Sequence, residues 1–369
     1  MAPRVVHIHI GSSKTGTTFV QQVLWSNKVK LAENGVLLPG KSRRQVGDAA
    51  RSLNRWDPSS GDPLPKEWRA LTAEIMATNH PSVMVSQEFL CWLDPSRIQQ
   101  VLSSLPEIQV KVVLSTRDLA RLIPAQWQSS MRQGNTWTLT KYSHAVAGLS
   151  KRGEHHPAFV HFWTRQDYGS ILTRWVEALG VENVTVVTLP PSGADPDDLW
   201  RRFCSATDLE PDTYPTAGVR NTSLGAASAE VLRRVNSTPI VRDMPNRDYA
   251  KEINSRLTRH VLDPLRKSEP GLTLPDEQRD WVAGRAEQVI AAVSATGVEV
   301  KGSLDDLRPR PVTEPYLAPE TLPAEDLLAS AVAGLAGLAA EHIEEPATEG
   351  EDHGHRRDRK QRRRTGRRK

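Results

Sequence analysis

The sequence predicts an α/β fold, a mostly parallel sheet flanked by helices on both faces, with a helical C-terminal half. Three observations predict it. Short runs rich in β-branched residues alternate with segments of helical periodicity through the first half of the chain. The first of those runs stops at a glycine and passes through a small-residue loop directly into a helix. The chain has 369 residues, 38% of them hydrophobic, enough for one large core or two modest ones.

Residues 5 to 18 read VVHIHIGSSKTGTT. After the opening strand, Gly11 and Gly16 let the backbone turn tightly and approach an anion closely. The first amides of the following helix point at that anion with the positive end of the helix dipole behind them. Lys14 adds a mobile full charge, Thr17 and Thr18 add hydroxyl donors, and Ser12, Ser13 and Thr15 complete a cradle for phosphate. This makes the sheet P-loop-type, although the loop is not a Walker A element: Gly16 is followed by Thr17, and the lysine lies two residues before that glycine. Val20, Val23, Leu24 and Leu31 recur at roughly helical spacing, and Gly35 is a natural stop.

Four further strands are expected, a short one at Gly35–Leu38 and then Ser82–Ser86, Val110–Thr116 and Asn183–Leu189. Helical patterns separate them. In Asp94–Leu105, Asp94 is a good N-cap and Pro95 stands at the first helical position; Ile171–Leu179 is another. Strands alternating with helices argue for parallel pairing with both faces covered. From about Glu230 to Ala295 the pattern is helical and charge-rich. Residues 1–300 are therefore read as one α/β domain, helix-rich from about 230, and 301–345 as a proline-rich linker followed by an Ala/Leu helix. Residues 346–369, acidic and then basic with no apolar content, are expected to be disordered.

Charged residues make up 25% of the chain and the mean hydropathy is −0.48, as in a soluble protein. No apolar stretch approaches the length needed to span a bilayer. Cys91 and Cys204 are too few for a disulfide framework, and the first strand leaves no room for a signal peptide, so a cytoplasmic location is expected. The net charge of +4 misleads, because ten Arg or Lys and one Asp between Arg356 and Lys369 give that tail +9 and leave −5 elsewhere.

In open parallel sheets ligands bind beyond the carboxyl ends of the strands. Three such ends carry chemistry: the phosphate loop, Gln87-Glu88, and Arg117-Asp118. Lys14 and the loop amides suit one phosphate, and Arg117 a second anion some distance away. Glu88 follows an apolar strand, where partial burial would raise its pKa toward the range of a general base. Simpler roles compete, since Asp118 is placed to cap a helix and Glu88 to be a solvated strand end. His7 and His9 alternate onto one face of the first strand and, like His155 and His156, lack metal-ligand company.

The loop GSSKTGTT, the Ser86-Gln87-Glu88 strand end and VVLSTRDLARLIPAQW together resemble the sulfotransferases that use 3′-phosphoadenosine 5′-phosphosulfate, in particular bacterial and carbohydrate-type members with a glutamate base. The resemblance covers roughly residues 4 to 240. It implies that Lys14, Thr15, Gly16, Thr17 and Thr18 hold the 5′-phosphosulfate and that Arg117 binds the 3′-phosphate, with Gly11, Ser12 and Ser13 counted among the cofactor-binding residues of the loop. The segment Arg220-Asn221-Thr222-Ser223-Leu224 could close over the nucleotide with Arg220, and a plain helix N-cap explains Ser223 and its neighbours equally well. Lys14 and Glu88 would be catalytic, the acceptor a carbohydrate or small molecule bearing a hydroxyl or amine, and no metal would be needed. Two positions depart from the family pattern: Ser13 replaces a common proline, and Ala125 replaces the serine expected eight residues beyond Arg117, which Ser129 one helical turn on would compensate. Two other classes remain open, a P-loop kinase acting on a small molecule and a nucleic-acid-binding protein acting through weak polyanion binding by the basic tail.

Overall fold

The computed structural model describes residues 5–216, 223–310 and 316–344. Six strands form one sheet: β1 (Val5–Gly11), β2 (Val36–Leu37), β3 (Ser82–Ser86), β4 (Gln109–Thr116), β5 (Val184–Thr188) and β6 (Glu299–Lys301), in the order β2-β3-β1-β4-β5-β6. All five pairings are parallel. From β1 the chain passes to β2 and then β3 on one side and crosses to β4 on the other, so the order reverses at β1 and opens a crevice there.

Side-chain alternation divides the core in two. Val6, Ile8 and Ile10 of β1, Val83 and Val85 of β3, and Val110, Val112 and Leu114 of β4 point to one face. There they meet Val46, Ala49, Ala50 and Leu53 of the helix Arg43–Arg55 and Ile171, Leu172 and Trp175 of the helix Tyr168–Leu179. Met84, Val113 and Val187 point the other way, onto Val20, Val23 and Leu24 of the helix Thr17–Ser26 and Trp200 and Phe203 of the helix Asp198–Thr207. Each such aliphatic side chain contributes about 1.5–3 kcal/mol on leaving water. Apolar residues on both faces are what make these strands read as near-continuous hydrophobic runs.

Local signals set the helix ends. Asp94 accepts from the Arg97 amide to start Pro95–Ser103, and Asp118 accepts from the Arg121 amide to start Leu119–Met131. The first helix is shorter than its periodicity implies. It stops at Ser26 and a second begins at Lys28, because the Asn27 side chain turns back to the Val23 carbonyl and ties it to the Pro215 carbonyl. The C-terminal half holds Ala226–Asn236, Tyr249–Leu262, wound as a π-helix, and Arg279–Ala295. The chain then rejoins the sheet as β6, a three-residue edge strand too short to stand out in the sequence. Beyond it, Asp306 accepts from Thr188 Oγ1 of β5 at 2.8 Å. Ala324–Glu344 is the expected Ala/Leu helix. No helix among the described residues is long and apolar enough to cross a membrane. Arg220 and the tail 346–369 lie outside the described residues.

Candidate functional site

The loop after β1 is wound by three residues in left-handed backbone conformations, Gly11 (φ 103°), Lys14 (φ 68°) and Gly16 (φ 86°). Two of them have no room for a side chain. A Cβ on Gly11 would lie 2.9 Å from Glu88 Cα, and one on Gly16 would lie 2.4 Å from Leu199 Cδ2. Lys14 is the exception, a non-glycine residue held at positive φ, the kind of local strain that surrounding contacts must maintain.

Those contacts come from two helices. Gln166, fully buried at the end of Pro157–Gln166, donates from Nε2 to the Ser13 carbonyl at 2.9 Å and accepts from Ser12 Oγ at 2.7 Å. Gln126, on Leu119–Met131, donates to Ser13 Oγ at 2.6 Å. Thr15 Oγ1 donates to the Ser12 carbonyl at 2.6 Å. The serine at position 13, where proline would have supplied stiffness, therefore gains its rigidity from two glutamine amides.

Arg117, at the end of β4, donates from Nη1 to the Lys14 carbonyl at 2.9 Å, while the Tyr168 hydroxyl accepts from its backbone amide at 3.2 Å. It stands nearer the loop than separate strand ends imply, since β4 is the immediate neighbour of β1. Its Nε is buried and unpartnered. Burial, reinforced by the Arg121 charge, lowers its pKa to about 10, so it stays cationic at neutral pH. Burial also holds the Lys14 ammonium below its usual value, with Arg132 adding to the effect and Glu88 opposing it. A buried cation short of counter-charge favours an incoming anion.

Glu88 opens a short 3-10 turn, Glu88–Trp92, directly after β3 and its following residue Gln87. Its Oε2 accepts from Gln21 Nε2 at 3.0 Å, and Gln21 Oε1 in turn accepts from Arg43 Nη2 at 2.8 Å. The carboxylate is thus oriented by a side chain one turn into the helix that leaves the loop.

Beneath the site, His9 joins the strands that deliver these groups. Its Nδ1 lies 2.8 Å from Ser86 Oγ on β3 and its Nε2 2.9 Å from Ser115 Oγ on β4. Full burial holds its pKa down at about 3, and burial with the Lys111 charge lowers His7 to about 4, so both imidazoles are neutral in the folded state. His7 and His9 do share one face, as alternation predicts, and it is the face covered by Phe203.

Ser13, Lys14, Gly16, Thr17, Thr18, Glu88 and Arg117 line a single cavity of about 1110 Å³, together with Ala125 and Ser129. Gly11, Ser12 and Thr15 are buried outside its lining and shape the loop. Among the described residues, ten cationic side chains and two carboxylates, Glu88 and Asp263, line this space. Arg121 and Arg132 are paired, with Asp118 and Asp263. Trp127, Trp163 and Trp175 are core residues, whereas Trp92 and Trp137 reach the cavity. Among the described residues no group of three or more His, Cys, Asp or Glu side chains gathers as a metal-ligand set.

The sequence reading missed Gln21, Arg43, Gln126 and Gln166. Gln21 carried a faint signal, lying one turn beyond Thr17 on an otherwise apolar helix face; Gln126 and Gln166 carried none, being brought to Ser13 from positions 113 and 153 residues away.

No family model matches the chain, and no curated protein matches it. Among solved structures the chain is similar to a sulfotransferase from Alicyclobacillus acidocaldarius, at 14% identity, covering 58% of this chain and 85% of that one, with a TM-score of 0.37. What the fold itself defines is a P-loop-like α/β protein, a parallel six-stranded sheet with its glycine-bearing loop at the point where strand order reverses.

Proposed function

We propose that this protein transfers a sulfuryl group from 3′-phosphoadenosine 5′-phosphosulfate to an acceptor hydroxyl or amine. The observation that carries the reading is the contact between Gly11 and Glu88, which sets an anion cradle and a positioned carboxylate side by side in one cavity. The motifs that resemble the sulfotransferases are the segments that meet there.

The nucleotide supplies the activated sulfuryl group, and this chain's residues do the rest. The loop amides, Thr17 and Thr18 take the donor's 5′ end, and Arg117, with Ser129 one helical turn beyond Ala125, takes the 3′-phosphate. Gln21 occupies Oε2 of Glu88 and leaves Oε1 to accept the acceptor's proton. The acceptor's oxygen or nitrogen forms a bond to sulfur as the bond from sulfur to the phosphate oxygen breaks, and the electron pair of that bond stays on the phosphate. Lys14 sits where this negative charge grows. Positioning and charge stabilisation of this kind need few residues.

The test is Glu88→Gln, which keeps the acceptor oxygen for Gln21 and removes the base. Turnover is expected to fall by about 10²–10⁴-fold, while calorimetry shows 3′,5′-adenosine bisphosphate still binding. Lys14→Ala should weaken both binding and turnover. Full activity of Glu88→Gln overturns the base assignment. Phosphoryl transfer from magnesium–ATP, with no response to the sulfated donor, overturns the function in favour of a kinase.

A further inference from the structure

The proposed donor engages Lys14 and Arg117, yet the same cavity is lined by further cations, among them Arg43, Arg51 and Arg165. Glu88, Phe89 and Trp92 lie on one 3-10 turn, so the rings follow the carboxylate directly. The two rings meet edge to face with centroids 5.1 Å apart. Each carries a guanidinium on its face: Arg51 Cζ stands 4.8 Å from the Phe89 centroid, and Arg165 Cζ stands 4.2 Å from the Trp92 centroid. Stacking uses the flat face of a guanidinium and leaves N–H edges to grip a planar or tetrahedral anion.

These charges are undercompensated. Among the described residues no carboxylate forms an ion pair with Arg165, whose Nη1 donates only to the His161 carbonyl at 2.7 Å. Arg43, beside them, has Gln21 for a partner and likewise no ion pair. Arg51 shares the single carboxylate of Asp48 with Arg44. Burial lowers the pKa of both Arg165 and Arg43, and for Arg43 the Glu88 charge opposes the shift without cancelling it. Meanwhile the chain outside its basic tail carries −5, so this concentration of positive charge is local to the cavity.

We propose that the sulfate acceptor is itself an anion, a hydroxyl compound bearing a carboxylate, sulfate or phosphate group that Arg51 and Arg165 hold over the Phe89–Trp92 pair beside Glu88; this rests on the sulfuryl-transfer reading above. The anionic group anchors the acceptor on the arginine side and turns its hydroxyl toward the free oxygen of Glu88. Phe89 and Trp92, each covered by its guanidinium, fix the two arginines in place rather than contacting the acceptor themselves.

The experiment saturates the protein with 3′,5′-adenosine bisphosphate and then titrates two matched pairs of probes: glucuronate against glucose, and 4-hydroxyphenylacetate against its amide. The anionic member of each pair is expected to bind about tenfold or more tightly, and to lose that margin as salt rises. Arg51→Gln combined with Arg165→Gln should erase the margin and leave bisphosphate affinity unchanged, while Arg165→Lys, which keeps the charge, should retain part of it. Equal binding of charged and neutral probes, or no binding of either anion at millimolar concentration, overturns the proposal; so does a margin that survives the double substitution. The bisphosphate titration reads the donor end separately. If it fails, the function falls; if it succeeds and the anions show no advantage, only the acceptor assignment falls.

Discussion

Neutral histidines locked in the sheet should make the protein acid-sensitive by an amount that the structure sets. Burial holds His9 at about 3 and His7 at about 4, against an ordinary value of 6.5. As pH falls through 6.5 the unfolded chain takes up two protons that the native state refuses, so stability declines on acidification and levels off only below about 3. Between pH 7 and pH 5 each histidine should cost about 2 kcal/mol, and the pair about 4 kcal/mol. That is a large share of the roughly 5–15 kcal/mol that keeps a domain folded. The perturbation is His9→Gln, whose amide can bond Ser86 and Ser115 but does not titrate. Urea unfolding at the two pH values, read as midpoint times slope, should show the loss shrinking from about 4 to about 2 kcal/mol, because carboxylate contributions common to both proteins cancel in the comparison. An unchanged loss in the variant would refute the reasoning, as would a native-state NMR titration placing the His9 ring near 6.5. Since His9 spans the strands that carry the loop, Glu88 and Arg117, the acid transition should also coincide with loss of bisphosphate binding.

Two other substitutions test the loop. Gly16→Ala imposes a left-handed conformation on a residue with a Cβ and drives that atom into Leu199 and Leu189; a loss of about 2–5 kcal/mol in unfolding free energy is expected, measured by the same denaturation. Gln166→Leu removes the clamp on Ser12 and Ser13 and leaves polar groups unpaired, a penalty of about 1–3 kcal/mol. Because those groups shape the loop to which the proposed function assigns the donor, KM for the sulfated donor should rise about tenfold while kcat for bound donor changes less; an equal fall in kcat alone would count against a positioning role.

How much of this was readable in the chain follows from how local each signal is. The loop, the helix starts at Asp94 and Asp118, and the strands β1, β3, β4 and β5 rest on contacts within a few residues, so their pattern is written consecutively. The face shared by His7 and His9 follows from the two-residue period of a strand. What the sequence did not reveal depends on distant segments arriving together. Gln126 and Gln166 reach Ser13 only after the sheet has brought two helices against the loop, and the break at Asn27 depends on a carbonyl at Pro215. The positive cavity was hidden by the opposite sign of the chain around it, since net charge says nothing of where arginines converge. β6 was missed because three residues are too few to show a period.

The touching of Gly11 and Glu88 has an evolutionary corollary. When two functional groups are separated only by the spacing of adjacent strands, about 4.8 Å, no side-chain change can widen or narrow the gap without prying the sheet apart. Descendants of such a scaffold that come to modify different molecules have nothing to adjust at that seam. Their divergence should instead collect on the cavity-lining faces of Arg43–Arg55 and Pro157–Gln166, at positions other than Arg43 and Gln166, where residues can be exchanged while that seam keeps its dimensions.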